Sequence, residues 1–212
     1  QAYITTDADN NQITAFHPGA MNHAHVNKVP KDAGVQLGIV APESHIGMRE
    51  HAAQFAAAGI PFIFDPGQAM TLLGPDDLRE MIGQARWVAV NDYEASLLVE
   101  RTGWSFADIA GKVEALIVTR GAHGSQIHTG GAVHEIPPVK AAQIADPTGC
   151  GDAYRGGLLY GLQRGFDWAT TGRIASLMGS IKIGHHGTQT HRFTREEFAQ
   201  RYRTEFGVAL EW

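Results

Sequence analysis

A single cysteine, Cys150, in a chain of 212 residues excludes an intramolecular disulfide and suits a reducing cytoplasm. No run rich in lysine and arginine appears, and the formal net charge is −5, so the chain is not a nucleic-acid binder by charge. A phosphate-rich partner would have to be met locally, by amides, a metal and a few cations. The longest apolar runs are of strand length, which predicts no membrane segment. The opening residues lack the basic, apolar, small-residue order of a signal peptide, and a cytoplasmic location is expected. No G-x-G-x-x-G directly follows the first strand-like run with an acid about twenty residues on, which argues against a dehydrogenase. Eleven histidines include His23 and His25, then His185, His186 and His191, but no companion cysteine or H-E-x-x-H spacing goes with them. Neighbours at i and i+1 point in different directions on regular backbone, so no zinc site is expected.

What is present suits a soluble enzyme: 43% hydrophobic residues, 18% charged and 25 glycines. Apolar strand-like runs alternate with helical patterns, from Val35–Val40 to Glu43–Ala58, Ile60–Phe64, Pro75–Gln84 and Trp87–Val90. That alternation predicts an α/β fold with a doubly wound parallel sheet. Ligands of such sheets bind at the carboxyl ends of the strands. Asp65-Pro66-Gly67 ends one strand-like run and reads mainly as a turn.

Asp146-Pro147-Thr148-Gly149-Cys150-Gly151-Asp152 carries the strongest chemical signal. Pro147 biases Asp146 to an extended backbone, while Gly149 and Gly151 let the chain turn tightly with its amides converging. The next residues read as a helix, with Tyr154, Leu158 and Leu162 on one face and a small-residue ridge of Ala153, Gly157 and Gly161 beside it. Its free N–H groups and dipole would face the same spot, making an anion site. Glycines 156, 157 and 161 would each weaken an isolated helix by about 1 kcal/mol, so a neighbour is expected hard against them. Gly165 is a plausible stop. Asp152 reads either as a helix cap or as a base placed to take a proton from a hydroxyl attacking the anion's phosphorus. Cys150 has the position of a low-pKa nucleophile, but no partnering base is evident.

Two further stretches come after strand-like runs. Asn91-Asp92-Tyr93-Glu94 offers one amide and one carboxylate, which suits a single or water-mediated contact to magnesium; a turn residue and a first-turn helix acid are the plain alternatives. Thr119-Arg120-Gly121-Ala122-His123-Gly124 is a tight glycine loop that can be a simple hairpin, a phosphate approach, or both.

The stretch from Asp146 to Asp152 resembles the second signature, D-[TP]-T-G-A-G-D, of the ribokinase-like (PfkB) family of carbohydrate and nucleoside kinases, with Cys150 in place of Ala. Asn91 and Glu94 fit that family's N-x-x-E element, and Thr119, Gly121 and Gly124 its T-x-G-x-x-G nucleotide loop, in family order. The resemblance implies that Asp152 is the catalytic base and that the amides of Gly149, Cys150 and Gly151 hold the transferring phosphoryl group. It further implies that Asn91 and Glu94 organise magnesium and its waters, and that Asp146 belongs to a cation-binding loop. ATP, magnesium and a monovalent cation, potassium, are the cofactors it implies.

The first twenty residues read as a β-hairpin, Ala2–Thr6 and Gln12–Phe16 about the turn Asp7–Asn11. By resemblance residues 1–20 are part of a β lid over the substrate site, which also allows a homodimer through the lid, and residues 21–212 are the nucleotide-binding and catalytic core. His17-Pro18-Gly19-Ala20-Met21 stands where the family has G-A-N. The family's first signature, G-G-x-x-x-N with an early Asp that grips sugar hydroxyls, has no match. An opening at Gln1 in mid-lid reads as part of a longer protein, with the substrate half of the site missing. Arg155, placed against the helix dipole, reads as a solvated residue or as a neutraliser of phosphate charge, and is more typical of the nucleoside-kinase branch. Ile181–Gln189 resembles the family loop that closes over adenine and, in many members, a monovalent cation, and its Gly187-Thr188-Gln189 triplet resembles adenosine kinases more than ribokinases. A nucleoside, adenosine first, is therefore expected as acceptor; a ribose or fructose kinase and a non-catalytic nucleotide-binding module are the alternatives. Thr194 with Glu197 predicts a capped helix to Phe206.

Overall fold

The computed structural model describes residues 1–7, 12–30 and 33–212. Strands β1 (Ala2–Thr6) and β2 (Gln12–Phe16) pair antiparallel as a separate two-stranded sheet, in the register expected of a hairpin. The turn expected over Asp7–Asn11 lies, from Ala8 on, outside the described residues. Tyr3, Ile13 and Phe16 of the hairpin are exposed.

The main sheet has six strands in chain order: β3 (Gly38–Val40), β4 (Phe62–Phe64), β5 (Trp87–Asn91), β6 (Ala115–Thr119), β7 (Ser125–Thr129) and β8 (Ala132–Ile136). The first four are parallel and the last two antiparallel, so the expected parallel sheet carries an antiparallel extension. Gly130 and Gly131, both at positive φ, make the two-residue turn between β7 and β8, a conformation open to glycine. β3 is shorter than the run Val35–Val40, because its partner strand is preceded by Pro61, which has no N–H to donate; its carbonyl accepts from Gly38 instead.

Side chains alternate across the parallel strands. Phe62, Phe64, Val88, Val90, Leu116 and Val118 face one side; Ile63, Trp87, Ala89, Ala115 and Ile117 face the other. Burial on both faces explains why the strands read as unbroken apolar runs. Helices α1 (His45–Ala57), α2 (Pro75–Gln84), α3 (Asp92–Thr102) and α4 (Phe106–Lys112) cover the first side. Helices α5 (Cys150–Arg164) and α6 (Trp168–Ile183) cover the second, so the sheet is wound on both faces as expected. α1 begins later than Glu43, because the Ser44 hydroxyl accepts from the Gly47 amide and caps it, leaving Glu43 to bond the His51 ring.

The small-residue ridge of α5 meets α6. A Cβ on Gly157 would lie 2.5 Å from the Ala175 Cα, and one on Gly161 2.6 Å from the Thr171 hydroxyl. Gly156 departs from the expectation: it faces open space, and nothing packs against it. Helix α7 (Arg195–Phe206) starts at the predicted Thr194–Glu197 capping box and buries Phe198 and Tyr202 against α6. No helix among the described residues is long and apolar enough to cross a membrane.

Candidate active site

The carboxyl ends of β4, β5 and β6 bring Asp65, Asn91 and Thr119 to one edge of the sheet, with Asn91 and Thr119 directly paired across the ladder. Helix α5 points its first turn at this edge. Its N-cap is Gly149, at φ 82°, a left-handed conformation that a glycine adopts without strain. Asp152 is therefore not the cap. It stands in the first turn, exposed, beside the unpaired amides of a helix N-terminus. The Cys150 amide is committed to the Pro147 carbonyl at 3.2 Å, so of the three amides expected to hold an anion, those of Gly149 and Gly151 are the better placed.

Cys150 is no activated nucleophile. Burial pushes its thiol above the ordinary value, the opposite of what a thiolate needs.

Asp146 ties two loops together. Its Oδ1 accepts from the Thr148 amide and its Oδ2 from the Gly187 amide, both at 2.9 Å. These bonds, Thr148 first, hold the carboxyl at about 2. The Gly187 amide is thus spent on the loop itself. Gly149 passes so close to Thr188 that a Cβ would sit 3.1 Å from it, which packs the 184–190 loop onto the glycine turn. Ile181, Lys182 and Ile183 belong to the last turn of α6, so the loop expected from Ile181 begins at Gly184.

Asn91 and Glu94 form a capping box at the start of α3: Asn91 Oδ1 accepts from the Glu94 amide at 2.7 Å, and Glu94 Oε2 from the Asn91 amide at 2.8 Å. The i, i+3 spacing that resembles a magnesium element is also capping-box spacing, and the structure uses it as one. Among the described residues no cluster of three or more His, Cys, Asp or Glu forms a metal cage.

Arg155 is neither solvated nor aimed freely at a phosphate. It is buried, its Nε 2.9 Å from Asp65 Oδ2 and its Nη2 3.3 Å from Asp65 Oδ1 and 3.4 Å from the Ala89 carbonyl. Burial pushes the Asp65 carboxyl up and the Arg155 charge draws it back; Glu94 and Asp152 lie near enough to add to the upward push. Asp65, read from the sequence as part of a turn, is thereby the anchor of α5. Only the three-dimensional pairing reveals this.

Thr119, Gly121, Gly124, Cys150 and Gly151 line one cavity of about 560 Å³. Gly124 has a structural reason as well: at φ 81°, a Cβ there would lie 2.1 Å from the Ile136 carbonyl. The remaining wall is one that sequence reasoning missed. Pro138, Val139, Ala141 and Ile144 form an apolar side, facing Ser176, Gly179 and Ser180 on α6. Tyr154 closes the floor, with its hydroxyl 2.7 Å from Ser125 Oγ and pushed up to about 12 by burial. This cavity, apolar along the Pro138–Ile144 side and bounded at one end by the glycine turn before α5, is a concave pocket of the size and lining that takes a small molecule.

The family model for the pfkB family carbohydrate kinases matches residues 1–194. The chain belongs to the pfkB family. Within it, the chain is 32% identical over 201 residues to the nucleoside kinase of Methanocaldococcus jannaschii, covering 95% of this chain and 66% of that one. The structure of the Burkholderia thailandensis nucleoside kinase in complex with inosine is 54% identical, with a TM-score of 0.97, over 99% of this chain and 70% of the other. The same enzyme in complex with ADP and inosine superposes with a TM-score of 0.96 at 55% identity, over 99% of this chain and 66% of the other. This pfkB-family chain thus spans about two thirds of the length of the nucleoside kinases it matches.

Proposed function

We propose that this protein transfers the γ-phosphoryl group of ATP to a hydroxymethyl oxygen of a nucleoside. The observation that carries the reading is the position of Asp152: exposed in the first turn of α5, relieved of capping by Gly149, and next to the anion turn that bounds the 560 Å³ cavity. A carboxylate there takes the proton of an attacking hydroxyl, and the Gly149 and Gly151 amides meet the charge that develops on the transferring group.

The cavity fits a nucleotide, with Thr119, Gly121 and Gly124 beneath the phosphates and the Pro138–Ile144 segment against the base. Magnesium, when bound with the phosphates, would supply charge neutralisation; Asn91 at the end of β5 and Glu94 in the first turn of α3 would hold its waters. Arg155 acts on the phosphates only through the position it gives α5. Hairpin β1–β2 is a lid in this reading, its exposed apolar side chains suited to covering a bound substrate.

A nucleoside is favoured as acceptor by the likeness to enzymes named nucleoside kinases, one bound to inosine. Adenosine and inosine are the first substrates to test. Phosphorylation by the full-length protein is measured across adenosine, inosine, guanosine, ribose and fructose with ATP and magnesium. Turnover of the nucleosides is expected. A preference for the free sugars would make it a sugar kinase, and no turnover would leave a nucleotide-binding module.

A further inference from the structure

Lys182 is fully buried in the last turn of α6, yet its ammonium has no carboxylate in direct contact. Its Nζ donates to the backbone carbonyls of Asp146, at 2.6 Å, and His185, at 3.2 Å. The Asp146 carboxylate lies 4.0 Å away, and the carbonyl end of α6 adds its own negative potential. Backbone carbonyls, one nearby carboxylate and a helix C-terminus make the oxygen-rich, weakly charged setting in which proteins hold a dehydrated monovalent cation. Here that setting already contains a positive charge, attached to the chain.

The place matters as much as the chemistry. Asp146 opens the anion turn and His185 is the second residue of the 184–190 loop, and the two loops are further joined by the Asp146 to Gly187 bond. A cation between them neutralises the carbonyls that must converge for the two loops to close over the cavity.

We infer that the Lys182 ammonium is a built-in monovalent cation, and that this protein assembles its anion turn without potassium. The donors that the resemblance assigns to a monovalent ion do not fit a second one, since a buried charge of the same sign already fills them. Lys182 is a positioning residue: it touches neither nucleotide nor acceptor.

The test compares potassium with choline at equal ionic strength, on the full-length protein. One arm reads phosphorylation of adenosine or inosine and rests on the kinase reading; the other reads thermal unfolding without ligand and does not. For the wild-type protein, exchanging choline for potassium is expected to change the rate by less than about twofold and the midpoint by less than about 2 °C. Lys182→Ala opens the space and is expected to unfold earlier, then to recover stability and rate in potassium or ammonium but not in choline. Lys182→Met keeps the stem's bulk without the charge and is expected to be impaired in every salt. Wild-type activation by potassium of about tenfold or more, or a potassium-dependent rise in its unfolding midpoint of several degrees, would overturn the inference. So would an alanine variant indifferent to every cation. Should that variant fail to fold, a methionine variant matching wild-type stability and rate would overturn it instead.

Discussion

Arg155 and Asp65, ninety residues apart, form a buried two-point ion pair, Nε to Oδ2 at 2.9 Å and Nη2 to Oδ1 at 3.3 Å. The pair ties the second turn of α5 to the residue that follows β4, and the Ala89 carbonyl at 3.4 Å adds β5. The helix that carries Asp152 is thus registered against two strands by a single guanidinium. Removing one partner strands a charge in the interior. Asp65→Ala and Arg155→Ala should each lower unfolding stability by about 3–5 kcal/mol, and Arg155→Lys should recover only part, because an ammonium cannot match the fork. Urea titration of the variants checks this. A loss below about 1 kcal/mol for either alanine would mean that the pair does not hold the turn.

Asp152 predicts the opposite pattern. It is exposed and caps nothing, so Asp152→Asn should leave the unfolding midpoint unchanged while the phosphoryl-transfer rate falls on the order of 10²- to 10⁴-fold. ATP affinity should be retained. Single-turnover kinetics together with nucleotide binding separate the two effects, and an undiminished rate would remove Asp152 as the base.

The glycines of α5 separate packing from helix propensity. Gly156→Ala meets nothing and should stabilise by about 0.5–1 kcal/mol. Gly157→Ala gains the same propensity but drives a methyl into the α6 backbone, and should cost about 1–3 kcal/mol net. Thermal unfolding of the two single variants, one residue apart, is a direct comparison of sign.

Asp146 sets an acid limit. Its carboxyl is depressed from 3.8 to about 2, chiefly by the Thr148 amide, then by the Thr148 side chain and then by the Gly187 amide. A depressed folded-state value means that the contribution is complete above the ordinary pKa and is lost as pH falls toward 2. The stability gap between wild type and Asp146→Asn should therefore be constant above about pH 4 and close between about pH 4 and 2. Denaturant unfolding at a series of pH values reads it; a gap that persists at pH 2 would show that the charge is not what joins the loops.

The sequence by itself determined the parallel strands, the start of α7 and the glycine turn, because each rests on local rules. Burial on both faces gives unbroken apolar strands, Thr194 and Glu197 cap helix α7, and Pro147 with Gly149 bends the chain before α5. Asn91-x-x-Glu94 was legible only as an ambiguity, since capping and magnesium binding use the same spacing, and the hydrogen bonds show the cap. Tertiary structure alone decided the partners. Asp65 finds Arg155 across ninety residues, Lys182 finds the Asp146 carbonyl across thirty-six, and the Pro138–Ile144 segment becomes a cavity wall only by facing α6. Nothing in the local pattern distinguishes Lys182 from a solvated lysine at a helix end. Its role comes from burial, which removes water and leaves two carbonyls and a distant carboxylate to hold its charge.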